Sequence, residues 1–123
     1  MLNKIALVAL GLAVPLAAAP AAAQDAQAGA TVFRRCSVCH TTTGKISVGP
    51  PLDGVVGRKA GTFPRYTYSK AMASQTIVWD RAALDQFLTR PQALVPGTKM
   101  GFAGLSNAKE RQYLITYLAT LRK

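Results

Sequence analysis

The chain opens with an apolar run from Ile5 to Ala23, and no comparable run recurs further on. From Asp25 to Cys39 the pattern becomes helical. Ala26, Gly29, Ala30, Phe33, Cys36 and Val38 include apolar positions three and four apart, while Arg34 and Arg35 face elsewhere. Asp25 or Gln24 marks the expected start, where an acidic residue suits the helix dipole. Gly29 is a poor helix former, and the close approach of another helix would justify it. Residues 41–65 then show no convincing period. They are apolar but irregular, with Gly49-Pro50-Pro51, Gly54, Gly57 and Gly61 as punctuation. A coil of that length is unusual in a small domain unless it wraps something.

Helical spacing returns after that. Ser69 to Gln75 has room for one or two turns. Asp80 is the expected N-cap of a helix with Leu84, Phe87 and Leu88 on one face, ending before Pro91. Residues 94–102 read as extended coil. The last helix starts near Ser106 or Asn107, where Asn107 and Glu110 have capping-box spacing. Leu114, Tyr117, Leu118 and Leu121 form its apolar face, with Tyr113 alongside.

Composition changes this picture in two ways. Lys4, the apolar middle and Ala21-Ala22-Ala23 before Gln24 together read as a secretory signal peptide over residues 1–23. An uncleaved anchor is the alternative, since the run is long enough to span a bilayer, but Pro15 and Pro20 interrupt it. Residues 24–123 then make one small, soluble domain, whose modest core would gain from a large bound cofactor. The chain also carries 15 Lys and Arg against 5 Asp and Glu, a formal charge of +10 that falls by one if Lys4 leaves with the leader. Such an excess suits acidic partners. Nucleic acid is the competing reading, but an exported chain without a nucleic-acid motif does not favour it.

The candidate chemistry is concentrated in Cys36-Ser37-Val38-Cys39-His40, which holds both cysteines and the single histidine. This run reads as a site for covalent haem of the c type. Two thiols must reach two vinyl groups on one edge of a porphyrin, and a spacing of three puts them on one side of a helical turn. The adjoining imidazole can then ligate the iron. Thioredoxin-like pairs share the spacing but normally follow a strand, and no βαβ pattern surrounds this one. A zinc site would want four ligands where three are present. A Cys36–Cys39 disulfide would close too short a loop to stabilise much.

Taken together the motifs resemble the class I cytochromes c of mitochondrial and bacterial respiration. The likeness covers essentially all of residues 24–123. It rests on Gly29 and Phe33 before the haem motif, Gly49-Pro50 with Leu52 and Gly54, and Gly57-Arg58-Lys59-Ala60-Gly61. It continues through Tyr66-Thr67-Tyr68-Ser69, Trp79, Leu84 with Pro91, and Pro96-Gly97-Thr98-Lys99-Met100 with Phe102 and Gly104. The resemblance implies an all-α fold whose N- and C-terminal helices cross around one covalent haem c, with Gly29 and Phe33 meeting Leu114 and Tyr117. It implies His40 and Met100 as axial ligands, and Pro50 as acceptor for the imidazole N–H. Tyr68 and Trp79 would bond a haem propionate, Arg58 would offset its charge, and Phe102 would cover the haem edge.

Met100 has a second argument. Beyond Met1 the chain has two methionines, and Met100 lies in a Pro/Gly-held coil whereas Met72 lies in a short helical stretch. A thioether is a soft ligand that raises the potential of haem iron. By the same resemblance, Met72 and Phe87 stand where relatives usually have asparagine and often have tyrosine, so a polar network near the methionine sulfur should be absent or rearranged. The loop from His40 to Gly49 is shorter than in mitochondrial relatives and points to a bacterial protein.

The expected function is therefore that of a monomeric periplasmic electron carrier. Its expected donors are a quinol–cytochrome c oxidoreductase or another cytochrome; its acceptors a terminal oxidase, a peroxidase or a reaction centre. It would meet membranes only through those complexes. Arg35, Lys59, Lys99 and Lys45 are the charges expected around the haem edge to steer acidic partners. A haem peroxidase or gas-binding protein with an open distal site is the alternative that Met100 argues against, and a membrane-tethered carrier is a third reading.

Overall fold

The computed structural model describes residues 9–122. The first part of the expected leader, residues 1–8, and Lys123 at the domain's end lie outside the described residues. The elements are α1 (Ala21–Val32), a 3-10 turn (Phe33–Arg35), α2 (Lys70–Ala73), α3 (Arg81–Thr89), α4 (Pro91–Leu94) and α5 (Ala108–Thr120). Among the described residues no strand forms; one isolated antiparallel bridge joins Lys59 to Val78. The fold is all-α, as expected.

α1 starts earlier and ends earlier than its pattern suggested. Alanine is the strongest helix former, so the helix runs back through Ala21-Ala22-Ala23 and stops at Pro20, whose ring drives the preceding residue out of helical geometry. The expected boundary before Gln24 therefore falls inside α1. At the other end the helix tightens to 3-10 at Phe33, where the Ser37 hydroxyl donates to the Arg34 carbonyl at 2.9 Å and competes with the regular ladder. Two turn bonds, Cys39 N–H and His40 N–H to the Cys36 carbonyl at 3.0 and 2.9 Å, carry the chain onward. This change of pitch leaves Val38 76% exposed and puts Val32, absent from the expected stripe, into the core.

The principal helix contact is α1 against α5. Gly29 makes it possible: a Cβ there would lie 2.0 Å from the Tyr113 carbonyl oxygen and 2.6 Å from the Tyr117 Cβ. The Phe33 and Tyr117 rings meet at 5.4 Å, tilted by 54°. α5 begins where expected, with Asn107 Oδ1 accepting from the Lys109 and Glu110 amides at 2.9 and 3.1 Å. The reciprocal half of the capping box does not form. The Glu110 carboxylate instead takes both Arg35 guanidinium nitrogens, at 3.0 and 3.2 Å, and so joins the two terminal helical segments.

α3 is capped by Asp80, whose Oδ1 accepts from the Ala83 amide at 2.8 Å, and it buries Leu84, Phe87 and Leu88 as expected. α2 is capped by the Ser69 hydroxyl at 3.1 Å from the Met72 amide. Arg111 of α5 is buried. It donates to Asp85 Oδ1 at 2.8 Å and to the Leu105 and Ser106 carbonyls at 2.8 and 3.0 Å, fastening α5 to α3 and to the coil before it.

Beyond the core, Leu10, Leu12, Val14 and Leu16 stand almost wholly exposed at the N-terminal side of Pro20. No described helix is long and apolar enough to cross a membrane.

Candidate functional site

The coil of residues 41–65 folds around a cavity of about 390 Å³, within the ~300–1,000 Å³ range of small-molecule sites. Cys36, Cys39 and His40 line it from the end of the N-terminal helical segment; Gly49, Pro50, Val55 and Arg58 line it from the coil. Leu84, Phe87, Leu88, Leu114 and Leu118 present apolar faces from α3 and α5. Tyr66, Tyr68, Met72, Trp79, Lys99 and Met100 complete most of its wall. Of the residues expected to attach, ligate or contact the haem, only Phe102 is not among those that line the cavity. It is half-buried and packs against the surrounding core.

His40 is the most constrained of these groups. Its Nδ1 lies 2.7 Å from the Pro50 carbonyl oxygen, so the N–H sits on Nδ1 and Nε2 keeps its lone pair. Burial pushes the imidazole below its usual range; the Pro50 carbonyl works against that shift and the Arg58 charge adds to it. The net effect keeps the ring neutral, which is the ligating form. Gly49 is what allows this packing. A Cβ there would stand 2.4 Å from His40 Cε1 and 2.7 Å from Nδ1. The Gly49 amide in turn donates to the Cys39 carbonyl at 2.8 Å, closing the loop onto the haem motif.

Both cysteines are free and half-buried. Burial pushes the Cys36 thiol up, with Arg35 opposing and Cys39 reinforcing the shift. Cys36 follows the C-terminal end of a helical segment, not an N-terminus that would stabilise a thiolate. The thioredoxin-like alternative therefore loses its chemical basis. Among the described residues no three His, Cys, Asp or Glu side chains come together as a metal cluster.

Arg58 donates to two backbone carbonyls, Pro51 at 2.9 Å and Asp53 at 2.8 Å, and lies 5.2 Å from the centroid of the Phe63 ring. It is thus a half-buried cation at the cavity with carbonyls as its hydrogen-bond partners. Burial lowers its pKa, with Tyr68 and Asp53 working against the shift. The Tyr68 hydroxyl accepts from the Phe63 amide at 3.1 Å and retains its own proton to donate. Trp79 packs on Phe87 with ring centroids 4.9 Å apart. Met100 is half-buried in the coil after α4, and Met72 is buried in α2; both line the cavity.

These residues fit a flat, largely apolar group with two thiol attachments, a neutral imidazole ligand and an anionic edge near Arg58. Comparison with known proteins agrees. Residues 26–122 match the family model for cytochrome c. The chain belongs to the class I cytochromes c. Cytochrome c2 of Rhodomicrobium vannielii is 46% identical over 119 residues, covering 95% of this chain and 94% of that protein. Cytochrome c-550 of Bradyrhizobium diazoefficiens is 43% identical over 100 residues, covering 80% and 74% respectively. Among solved structures, cytochrome cH from Methylobacterium extorquens superposes with a TM-score of 0.76 at 45% identity, over 78% of this chain and 98% of that one.

This cytochrome is accordingly an electron carrier and not an enzyme, and the family cofactor is one covalently bound haem c. Cys36 and Cys39 are the only cysteines available to attach it.

Two of the surface charges expected around the haem edge have partners within the chain. Arg35 is exposed and is held bidentately by Glu110. The Lys99 ammonium lies 4.6 Å from the centroid of the Tyr66 ring and donates to the Thr67 carbonyl, so it too is already engaged. Gly49 and Tyr66 were legible in the sequence only as parts of family motifs. Tyr66 donates its hydroxyl proton to the Val48 carbonyl at 3.1 Å, and nothing in the local pattern announces that partner.

Proposed function

We propose that the cytochrome is exported to the bacterial periplasm and shuttles single electrons there as a monomer, with haem iron held between His40 and Met100. The observation that carries this reading is the His40 ring, fixed through Nδ1 on Pro50 at the wall of a cavity that Met100 also lines. When bound, haem c supplies a one-electron couple at its iron. The chain's own residues hold and tune it. His40 offers a neutral imidazole; Met100 offers a thioether that favours the reduced state. Arg58, Tyr68 and Trp79 supply a cation and donors for the propionates. A propionate would give Arg58 the anionic partner that a half-buried cation favours.

Several features support the finer points. Exposed leucines before Pro20 suit a leader that does not pack on the domain. The alignment with the Rhodomicrobium protein takes in 95% of this chain, and so most of that leader. The excess of basic residues suits acidic redox partners, which we take to be a quinol-oxidising complex as donor and a terminal oxidase, peroxidase or reaction centre as acceptor.

Met72 lines the same cavity, so the test must separate the two methionines. The ferric sulfur-to-iron charge-transfer band in the near infrared reports the bond. Met100→Ala should abolish it and open the reduced protein to carbon monoxide, while Met72→Ala should leave both properties largely unchanged. The reverse pattern would move the ligand to Met72. Intact mass of protein purified from the periplasm should begin at Gln24 and include one haem that resists acid–acetone extraction.

A further inference from the structure

The turn that carries the chain from Gly49-Pro50-Pro51 toward Arg58 contains the pair Asp53-Gly54. The Val55 amide closes it on the Leu52 carbonyl at 3.0 Å, and Gly54 takes φ +74°, an angle that favours glycine. Asp53 has a task of its own. Its Oδ1 accepts from the Gly44 amide at 2.8 Å and so ties the turn to the loop after His40. The fold thus calls for an aspartate followed directly by a glycine. That is a chemically labile order, because no side chain on the glycine hinders its nitrogen from reaching the aspartate's carboxyl carbon.

Three contacts hold the pair still. The Gly54 amide donates to the Leu121 carbonyl at 2.6 Å, Gly44 holds the carboxylate, and Arg58 Nη2 donates to the Asp53 carbonyl at 2.8 Å. The reacting nitrogen and the reacting carboxylate are therefore each engaged by a different segment. Leu121 is the C-cap residue of α5, and helix ends open more readily than helix interiors. Its half-buried side chain packs against the core and keeps that carbonyl in place.

We propose that Asp53-Gly54 is a site of aspartate isomerisation, gated by the Leu121 clamp, and that its product brings a carboxylate onto Arg58. When the clamp opens, the Gly54 nitrogen gives its proton to solvent and attacks Asp53 Cγ. A C–N bond forms, a C–O bond breaks and water leaves, closing a succinimide. Water then adds at the α-carbonyl carbon of Asp53, the bond from that carbon to the Gly54 nitrogen breaks, and the nitrogen regains a proton. The backbone now runs through Cγ, one methylene longer and with no net change in mass. The carbonyl that Arg58 held has become a free carboxylate.

The test is incubation of the ferric holoprotein in warm neutral buffer, with isoaspartate read by enzymatic methyl transfer to the new carboxylate and located by peptide mapping. The holoprotein should isomerise at least about 20-fold more slowly than a peptide spanning Pro50 to Arg58, at about fivefold for each hydrogen bond on a reacting group. Leu121→Gly keeps the carbonyl but loosens the helix end, and should raise the rate about fivefold. Ala82→Gly, at an exposed position of α3, destabilises the fold without touching the clamp and should leave the rate unchanged. Asp53→Asn keeps an oxygen for Gly44 and closes the same ring with loss of ammonia. Its deamidation, read as a gain in mass, should be slowed against its own peptide by the same factor. Equal rates in holoprotein and peptide would refute the clamp. An unchanged rate in Leu121→Gly, or an equal rise in Ala82→Gly, would refute Leu121 as the gate. If Leu121→Gly forms no isoaspartate by the time the peptide has converted, the site itself is wrong.

The effect on Arg58 rests on that residue facing the haem, and is read separately. Isomerised protein, separated by chromatography, should have a lower reduction potential than unmodified protein, since an anion brought to Arg58 favours ferric iron. Arg58→Gln should lower it too. A lower potential in Arg58→Gln alone would refute the move of a carboxylate onto Arg58. No change in either would instead refute Arg58 as the cation of a propionate, and the isomerisation rates would still decide the site.

Discussion

Gly29→Ala is the sharpest probe of how this fold is held together, because propensity and packing predict opposite signs. Taken as an isolated helix residue, alanine in place of glycine should stabilise by about 1 kcal/mol. In the folded chain the new methyl would sit 2.0 Å from the Tyr113 carbonyl oxygen. Ordinary contact begins near 3.4 Å, so α1 and α5 would have to part by about 1.4 Å at their crossing. The clash is with backbone, which no rotamer change relieves. A gap of ~0.5–1 Å already forfeits a quarter to a half of each dispersion contact, and the Phe33–Tyr117 pair lies along the same crossing. Overpacking of this kind costs about 3 kcal/mol at the upper end of its usual range. Subtracting the propensity gain leaves a net loss of about 2 kcal/mol. For a domain of roughly 100 residues that lowers the melting temperature by about 8–16 °C. The assay is thermal unfolding of the ferric holoprotein followed by far-ultraviolet circular dichroism, with Ala30→Gly as an exposed comparison on the same helix, expected to lose about 1 kcal/mol. A Gly29→Ala protein that melts at or above the wild-type temperature would show that α1 and α5 do not cross as described.

Other outcomes follow from particular contacts. Gly49→Ala would press a methyl to within 2.4 Å of His40 Cε1, and should lower the yield of low-spin holoprotein, read as haem absorbance per mole of protein. Arg111→Leu removes an ion pair with Asp85 and two carbonyl bonds, and should cost about 2 kcal/mol in guanidinium unfolding, with Arg111→Lys recovering part of it. Arg35→Glu should cost about 0.5–1 kcal/mol, and pairing it with Glu110→Arg should restore most of the loss if the two residues meet as described. For docking, Lys45→Glu should slow reaction with an acidic redox partner at low salt more than Lys109→Glu does. Equal slowing would mean that net charge alone steers the encounter.

The helices were legible where local chemistry decides them. Asp80 and Asn107 cap the helices assigned to them, because a cap needs only a short polar side chain and the two or three amides that follow it. The boundaries of α1 were not, for a physical reason at each end. Ala21 to Ala23 read as the end of a leader, and alanine also propagates a helix wherever no proline stops it. The tightening at Phe33 depends on the Ser37 hydroxyl reaching back to Arg34, a competition that apolar periodicity does not register. Val38, counted into the stripe, consequently turns outward, and Val32 takes a place in the core.

The site divides along the same line. Cys36, Cys39 and His40 adjoin in the chain, so their place together at the cavity could be read directly. Surface charge could not be assigned in this way. A net charge adds residue by residue, but the availability of any one cation depends on what lies beside it after folding. Arg35 finds Glu110 from 75 positions away, and Lys99 finds Thr67 from 32. The sequence places both with Lys45 and Lys59 as expected steering charges around the haem edge. In the fold Arg35 also pairs with Glu110 beside the crossing of the terminal helices, and Lys99 contacts Tyr66 and Thr67. A charge engaged in this way still contributes to the long-range field that brings an acidic partner near. It is less free to swing onto a partner's carboxylate, because that would break a contact that holds the fold. The close electrostatic contacts with a partner should therefore fall to exposed lysines such as Lys45 and Lys59.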